Sequence, residues 1–586
     1  MKKKLHDLMT EAGERLAGCP WQDYPRPQLV RDSYRNLNGT WEFGVTAEDR
    51  MPEKLAETIL VPFAPQSMLS GVHRDIPDGS YLWYRRAEAI PQDFLGERVL
   101  LHVGAADQVV TVFVNGTECG SHEGGYLEGV FDVTAAVRAG ENEFVLRVYD
   151  CLADRVYPYG KQTLRRGGMW YTPVSGIWKT VWLESVPETY VKGLRIVPDR
   201  NGAEITLEGI RGGSVLFGGR EITFEGERVY IPVEHPRYWS PEDPYLYRFA
   251  VRAGADEVQS YFALRTLETK TVAGTARLCL NGRPYFFHGL LDQGYYSDGL
   301  YTPAGPDCYE EEIRRLKGLG FNTLRKHIKV EDERFYYECD RLGMIVFQDM
   351  VQNGTYHFLK DTVLPTAGLL RMNDRGRERR AEVRAEFARE MLETVHALQA
   401  HPCICYWTIF NEGWGQSDSS AMYEKLREAD DSRWIDSASG WFAGGRTDVE
   451  SRHVYFRRPK AVKAKKPFVL SEFGGYSWKP EGHCYNTSST YGYGAFRSRE
   501  ALVKGIAALY EESVLPMIPA GLCAAIYTQV SDVEDETNGI FSYDRKVQKI
   551  LPEEFAAVSA KLYAAMEKCA GEEAVNSETK EVIQQK

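Results

Sequence analysis

Residues 309–349 read YEEEIRRLKGLGFNTLRKHIKVEDERFYYECDRLGMIVFQD, and this stretch decides the fold. YEEEIRRLKGLG has apolar residues at helical spacing and stops at a glycine, and FNTLRKH then reads as a strand. DERFYYECDRLG and MIVFQDM repeat the unit. Runs of consecutive apolar residues mean that both faces of each strand are covered, as in a parallel sheet wrapped by helices. Working outward, a long helix at 377–401 precedes the strand CICYWTIFNE, and KPFVLSEFGG and GLCAAIYTQVSD follow as apolar strands with polar ends. This alternation over 269–568 predicts a (β/α)8 TIM barrel.

Upstream the period changes to two. RVLLHVGAADQVVTVFVNGTECG, FVLRVYD and GIWKTVWLESV alternate apolar and polar residues, with turns at Asn115-Gly116 and Gly124-Gly125. We read 1–187 as an all-β sandwich or barrel. Residues 188–268, with AEITLEG, ERVYIPVE and YLYRFAVRAG, read as a small Ig-like β-sandwich. The polar tail, 569–586, is expected to lack structure. The opening MKKKLHDLMTEAGERL reads as a polar helix rather than a signal peptide.

At 586 residues the chain is too long for one core. Its net charge of −12 is spread along the sequence without a basic tract, which argues against nucleic acid as a partner. No apolar run approaches the ~20 residues of a membrane span. Eleven scattered cysteines, with Cys403 and Cys405 inside an apolar run, indicate free thiols and a cytoplasmic protein. Aromatics make up 12% of residues, and flat rings suit stacking under sugars as well as sandwich cores.

In a barrel of this kind the chemistry sits where strands end. Those positions hold Asp292, Arg325, His327, Asp349, Asn411, Glu412, His453, Tyr455 and Glu472. Glu412 and Glu472 each close an apolar strand just before glycines, a poor use of a buried position unless the carboxylate works. Glycosidic cleavage needs such a pair, one to protonate the leaving oxygen and one to attack the anomeric carbon. Strands four and seven face each other across a barrel mouth, and Asn411 can hydrogen-bond a sugar 2-hydroxyl. The pair suffices chemically, so no cofactor or metal is called for. Trp414, Trp441 and Trp478 lie on loops after strands, where they stack on a sugar or anchor the loop.

At these residues the chain resembles glycoside hydrolase family 2, the family of bacterial β-galactosidases and β-glucuronidases. GTWEFGV, VFVNGTECGSHEGGY and SGIWKTVWLE resemble its N-terminal jelly roll, and YWSPEDPYLY and YFALRTLE the end of its Ig-like domain. LNGRPYFFHG opens its barrel. HPCICYWTIFNEG is similar to its acid/base motif and PFVLSEFGG to its nucleophile motif, which implies these roles for Glu412 and Glu472. The resemblance also implies that Arg325 supports the nucleophile side and that Tyr455 hydrogen-bonds Glu472.

The chain departs from that pattern in three places. His327 lies two residues after Arg325, and Ile328 holds the usual histidine position. Trp170 stands where the jelly roll usually supplies an aspartate. In EDETNGIFSYDRK, Glu536 and Asn538 replace the Asn-x-Lys with which β-glucuronidases hold the uronate. An acid there repels an anionic sugar.

These features predict a retaining exo-glycoside hydrolase, β-galactosidase-like, releasing a neutral terminal sugar from a small glycoside or oligosaccharide. The expected sugar floor is Asp292, His327, Asp349 and Asn538, with Trp170 from the jelly roll. Three alternatives stand beside this reading. One is an arabinofuranosidase or galactofuranosidase. Another is a uronidase whose clamp is Arg325, Lys326 or Lys329. The last is a non-catalytic carbohydrate-binding protein. β-rich accessory domains offer faces for a homo-oligomer.

Overall fold

The computed structural model describes residues 5–366, 374, 377–442 and 444–584. Its first layer is a β-sandwich. A six-stranded sheet runs in the order Glu57–Val61, Gly39–Thr46, Ser80–Ile90, Gly140–Asp150, Val109–Val114, Thr117–Glu123. A four-stranded sheet packs on it, ordered Tyr34–Asn36, Val181–Val186, Arg98–Val103, Gly129–Asp132. Gly39–Thr46 shows why alternation suffices: Trp41 and Phe43 are buried while Thr40 and Glu42 face solvent. Trp41, Phe43, Leu82, Leu101, Phe144 and Leu183 belong to the core between the sheets.

A second sandwich pairs a three-stranded sheet with a four-stranded one between Gly193 and Phe262. Its separate core includes Ile205, Ile231, Phe249 and Val251. A hairpin sheet between Leu267 and Pro284 leads into the barrel.

The barrel strands are β1 (Phe287–Asp292), β2 (Thr323–Lys326), β3 (Ile345–Asp349), β4 (Ile404–Asn411), β5 (Trp434–Ser439), β6 (Glu450–Val454), β7 (Phe468–Phe473) and β8 (Leu522–Tyr527). They form one parallel sheet in the order β5-β4-β3-β2-β1-β8-β7-β6, and the edges β5 and β6 lie side by side in a nearly closed barrel. Helices α1 (Asp307–Gly318), α2 (Glu333–Leu342) and α3 (Ala381–Leu398) fill crossovers between β1 and β4. The bounds of α2 follow from its ends: Asp332 caps the N-terminus by accepting from Arg334 N–H, and Gly343 ends it in the left-handed conformation.

Both termini differ from expectation. Among the described residues of the polar start, Glu11–Arg15 are helical, and Thr10 caps the turn. The last helix, Pro552–Gln584, continues through the tail that was expected to lack structure. All eleven cysteines are free.

The segment 159–171 of the first sandwich docks on the barrel mouth. Tyr159 and Gly160 N–H groups both donate to Gln352 C=O, and Tyr159 Oη donates to Gly354 C=O at 2.8 Å. Gly160 has φ +60, and a Cβ there would lie 2.8 Å from Tyr126 Oη and 2.9 Å from Ile328 C=O. Only glycine accommodates both the conformation and the approach. Gly160→Ala should therefore lower stability by about 2 kcal/mol, read from urea unfolding. A loss under about 0.5 kcal/mol would show slack at this junction.

Candidate active site

The parallel strands bring their polar ends together at one rim. Asn411 and Glu412 follow β4, Arg325 sits near the end of β2, Asp349 ends β3, His453 is on β6 and Glu472 on β7. Glu412 adopts φ +53 and is followed by Gly413 at φ +77. A left-handed glutamate is strained. Its N–H is held by Ser439 C=O at 2.9 Å. The turn lifts the carboxylate out of the strand.

Arg325 is the centre of the site and is 1% exposed. Nε donates to both Asp349 oxygens, at 2.9 and 3.1 Å, and Nη1 to Glu472 Oε1 and Ser471 C=O, each at 3.0 Å. Nη2 donates to Asn411 Oδ1 at 2.9 Å, which leaves the Asn411 amide N–H groups for another acceptor. Tyr455 Oη donates to the other Glu472 oxygen. Burial pushes the Glu472 carboxyl up, but His453, Arg325 and His327 and the Tyr455 hydroxyl outweigh it and hold the group down at about 2.

His453 lies between the two glutamates. Nδ1 is 2.8 Å from Glu412 Oε1, and Nε2 is 3.5 Å from Glu472 Oε1 and 3.0 Å from Ser439 Oγ. Glu412, His453 and Glu472 each place one oxygen or nitrogen within 4.8 Å of the others. Such a trio has the donors to hold a cation, but Arg325 and Tyr455 already occupy both oxygens of Glu472.

The remaining expected residues divide. His327 Nδ1 lies 2.8 Å from Asp349 Oδ2, so Asp349 is spent on Arg325 and His327 and is not a free acceptor for sugar hydroxyls. Asp292 likewise corrects the expected sugar floor: it accepts from Lys326 Nζ at 2.5 Å and Gly294 N–H at 2.9 Å. Lys326 and Lys329 both donate to Glu331, at 3.0 and 2.6 Å.

Asn538 is buried, accepting from Gln529 Nε2 at 3.0 Å and donating to Glu536 Oε1 at 3.2 Å. Tyr171, from the docking segment, donates to the other oxygen of Glu536. Trp170 meets Trp414 and Tyr356 edge-on, with ring centroids 4.9 and 4.8 Å apart. Trp414 is buried and donates from Nε1 to Tyr159 Oη at 3.0 Å, so it anchors the loop. Trp441 lies 5.6 Å from the His453 ring, with a buried indole N–H that has no partner. Trp478 packs half-buried against the main core, and among the described residues no contact ties it to the carboxylate pair.

Sequence reasoning missed Lys161, which is 7% exposed in the docking segment, its Nζ 5.6 Å from the Trp170 ring centre. A lysine after a glycine in YPYGKQ carries no signal of its own. Only docking of the sandwich brings it to the site.

Residues 34–187, 201–265 and 274–475 match three descriptions in turn: the sugar binding domain, the central domain and the TIM barrel domain of glycosyl hydrolases family 2. Over 463 residues the chain is 24% identical to a β-glucuronidase of Paenibacillus borealis, covering 70% of this chain and 73% of that one. Over 375 residues it is 24% identical to a β-galactosidase of Thermoanaerobacter pseudethanolicus, covering 59% of this chain and 46% of that longer protein.

In fold it is similar to a β-D-glucuronidase of Dictyoglomus thermophilum, with TM-score 0.72, 17% identity and coverage of 93% and 98%. It is also similar to a β-galacturonidase of Eisenbergiella tayi bound to galacturonate, with TM-score 0.68, 17% identity and coverage of 92% and 99%. Three consecutive family matches over sandwich, sandwich and barrel place this chain in glycoside hydrolase family 2.

Proposed function

We propose that the protein is an exo-acting, retaining β-glycosidase in which Glu472 is the nucleophile and Glu412 the general acid/base. The observation that carries this is spacing: the two carboxylates bring oxygens within 4.8 Å, on opposite sides of His453. Retaining enzymes hold their carboxyl groups about 5–5.5 Å apart, whereas inverting ones need roughly 6.5–9.5 Å to admit a water.

The two environments separate the roles. Glu472 is ionised and aimed by Arg325 and Tyr455, as attack on an anomeric carbon requires. Glu412 is tied to His453, and its side chain is 16% exposed against 5% for Glu472. It can give a proton to the leaving oxygen and later take one from water. The free Asn411 amide is placed for the sugar 2-hydroxyl. Trp170 and the docking segment wall one side of the mouth, which suits a chain end better than a passing chain.

The expectation of a neutral terminal sugar rested on Glu536 and Asn538 in place of Asn-x-Lys and on Trp170 in place of the jelly-roll aspartate. Arg325, Lys326 and Lys329 are all spent on carboxylates. Lys161 supplies a cation that the sequence did not reveal.

Two tests follow. Glu472→Gln should abolish turnover of every glycoside. Glu412→Gln should cost about 10²–10⁴-fold for poor leaving groups and far less for nitrophenyl glycosides. Proton NMR of the first-formed sugar should show the anomer of the substrate; the opposite anomer would refute double displacement.

The second test is pH. Glu472 is depressed from 4.5 to about 2, so its contribution to stability is complete above the unfolded value and fades as pH falls from 4.5 toward 2. The melting-temperature gap between wild type and Glu472→Gln should be flat from about pH 7 to 5 and narrow below. A gap that narrows already near about pH 6 would contradict the depressed carboxylate.

A further inference from the structure

Lys161 is the strongest loose end in the molecule. Its side chain is mostly covered, and among the described residues its ammonium makes neither a hydrogen bond nor an ion pair. Its one described contact is the face of Trp170 at 5.6 Å. A cation–π contact does not satisfy three N–H donors. A lysine carried into a largely covered place with no bonded partner for its N–H groups points to a ligand that arrives from outside.

The surroundings locate that ligand. Lys161 C=O accepts from Tyr171 N–H at 3.0 Å, and Gly160 on its other side is wedged against Tyr126 and Ile328. The backbone is therefore fixed. Tyr159, two residues earlier, receives the Trp414 indole N–H, and Trp414 is two residues beyond Glu412.

On its other flank the Lys161 charge is felt by His327 and Glu536. Burial holds the imidazole below its ordinary range and the lysine adds to that; burial pushes the Glu536 carboxyl up and the lysine opposes it. His327 in turn is bonded to Asp349, which pairs with Arg325, the partner of Glu472. Lys161 thus stands between the loop of the acid/base and the residues behind the nucleophile.

Resting on the catalytic reading above, we propose that Lys161, supplied by the N-terminal sandwich, is a specificity-determining residue of the sugar pocket whose ammonium takes an anionic group of the terminal sugar, the carboxylate of a uronic acid. A hydroxyl could accept from the ammonium but would leave the charge unbalanced; a carboxylate does both. Glu536 is near enough to feel the lysine charge but, among the described residues, forms no ion pair with it, and its oxygens accept from Tyr171 and Asn538. The other cations near the rim are committed. Arg325 holds Asp349 and Glu472, Lys326 holds Asp292 and Glu331, and Lys329 holds Glu331 and two backbone carbonyls.

The test uses the full chain, as wild type and as Lys161→Met. Calorimetric titration with D-glucuronate, D-galacturonate, D-glucose and D-galactose reads binding apart from turnover. Nitrophenyl glycosides of the same four sugars read kcat/KM. One of the uronates should bind wild type better than its neutral counterpart. Lys161→Met should weaken that binding, and kcat/KM for the uronide, by about 100-fold, with neutral sugars changed less than about threefold.

Thermal unfolding adds a readout that a structural role would move the other way. Lys161 has no described hydrogen bond or ion pair to lose, so Lys161→Met should leave the melting temperature unchanged or raised, and a lowered one would mark Lys161 as a packing residue. Turnover of neutral glycosides with no uronate binding would overturn this inference and leave the catalytic pair standing. Lysine-dependent uronate binding without turnover of any glycoside would uphold it and overturn the catalytic reading. Neither binding nor turnover would overturn both.

Discussion

The site depends on one buried guanidinium. Arg325 lies on β2 and bonds to Asp349 on β3, Asn411 on β4, and Ser471 and Glu472 on β7. A planar fork with five donors can satisfy partners in three other strands at once, which a lysine cannot. Burying such a charge is tolerable only because two carboxylates surround it, and removing one partner of a buried pair typically costs about 3–5 kcal/mol. The same bonds serve chemistry. They keep Glu472 ionised, and they fix the carbonyl end of Asn411 so that its amide N–H groups are left to donate. Stability of the rim and ionisation of Glu472 are one set of contacts.

Around this hub the two glutamates live in different surroundings. Both Glu472 oxygens are held, by Arg325 and Tyr455, whereas Glu412 leans on His453 and reaches solvent. His453 couples them, since it touches both. The left-handed turn at Glu412 completes the asymmetry, for it lifts this carboxylate off β4 while Glu472 remains within β7.

Much of this was legible in the sequence because a parallel barrel converts strand ends into a rim. An apolar run followed by a polar residue marks the rim without further knowledge, and Arg325, Asn411, Glu412, His453 and Glu472 all announced themselves in that way. The rule locates a residue along a strand but not its partner. It could not show that Lys326 would capture Asp292, or that Asp349 would serve Arg325 and His327 rather than a sugar. Those pairings depend on which neighbouring strand offers a cation at the same height. The rule was also blind to Lys161, which lies on no barrel strand. Its meaning comes from a contact between domains more than a hundred residues apart in the chain.

That contact changes what the N-terminal sandwich is for. Glu536, an acid, sits on the barrel side of the pocket, and Lys161, a cation, sits on the sandwich side; Tyr171 of the sandwich binds the acid and Trp170 covers the cation. The electrostatic character of the pocket is therefore divided between two separately cored domains and exists only when they are docked. The docking is correspondingly rigid, with a glycine that admits no side chain, two N–H groups on one carbonyl of the barrel, and an indole bridging to the loop of Glu412. The junction is not apolar alone: Phe63, Tyr126, Val174 and Trp178 of the sandwich share a core with the barrel, and beside them the sandwich places polar atoms at the rim that holds the two glutamates.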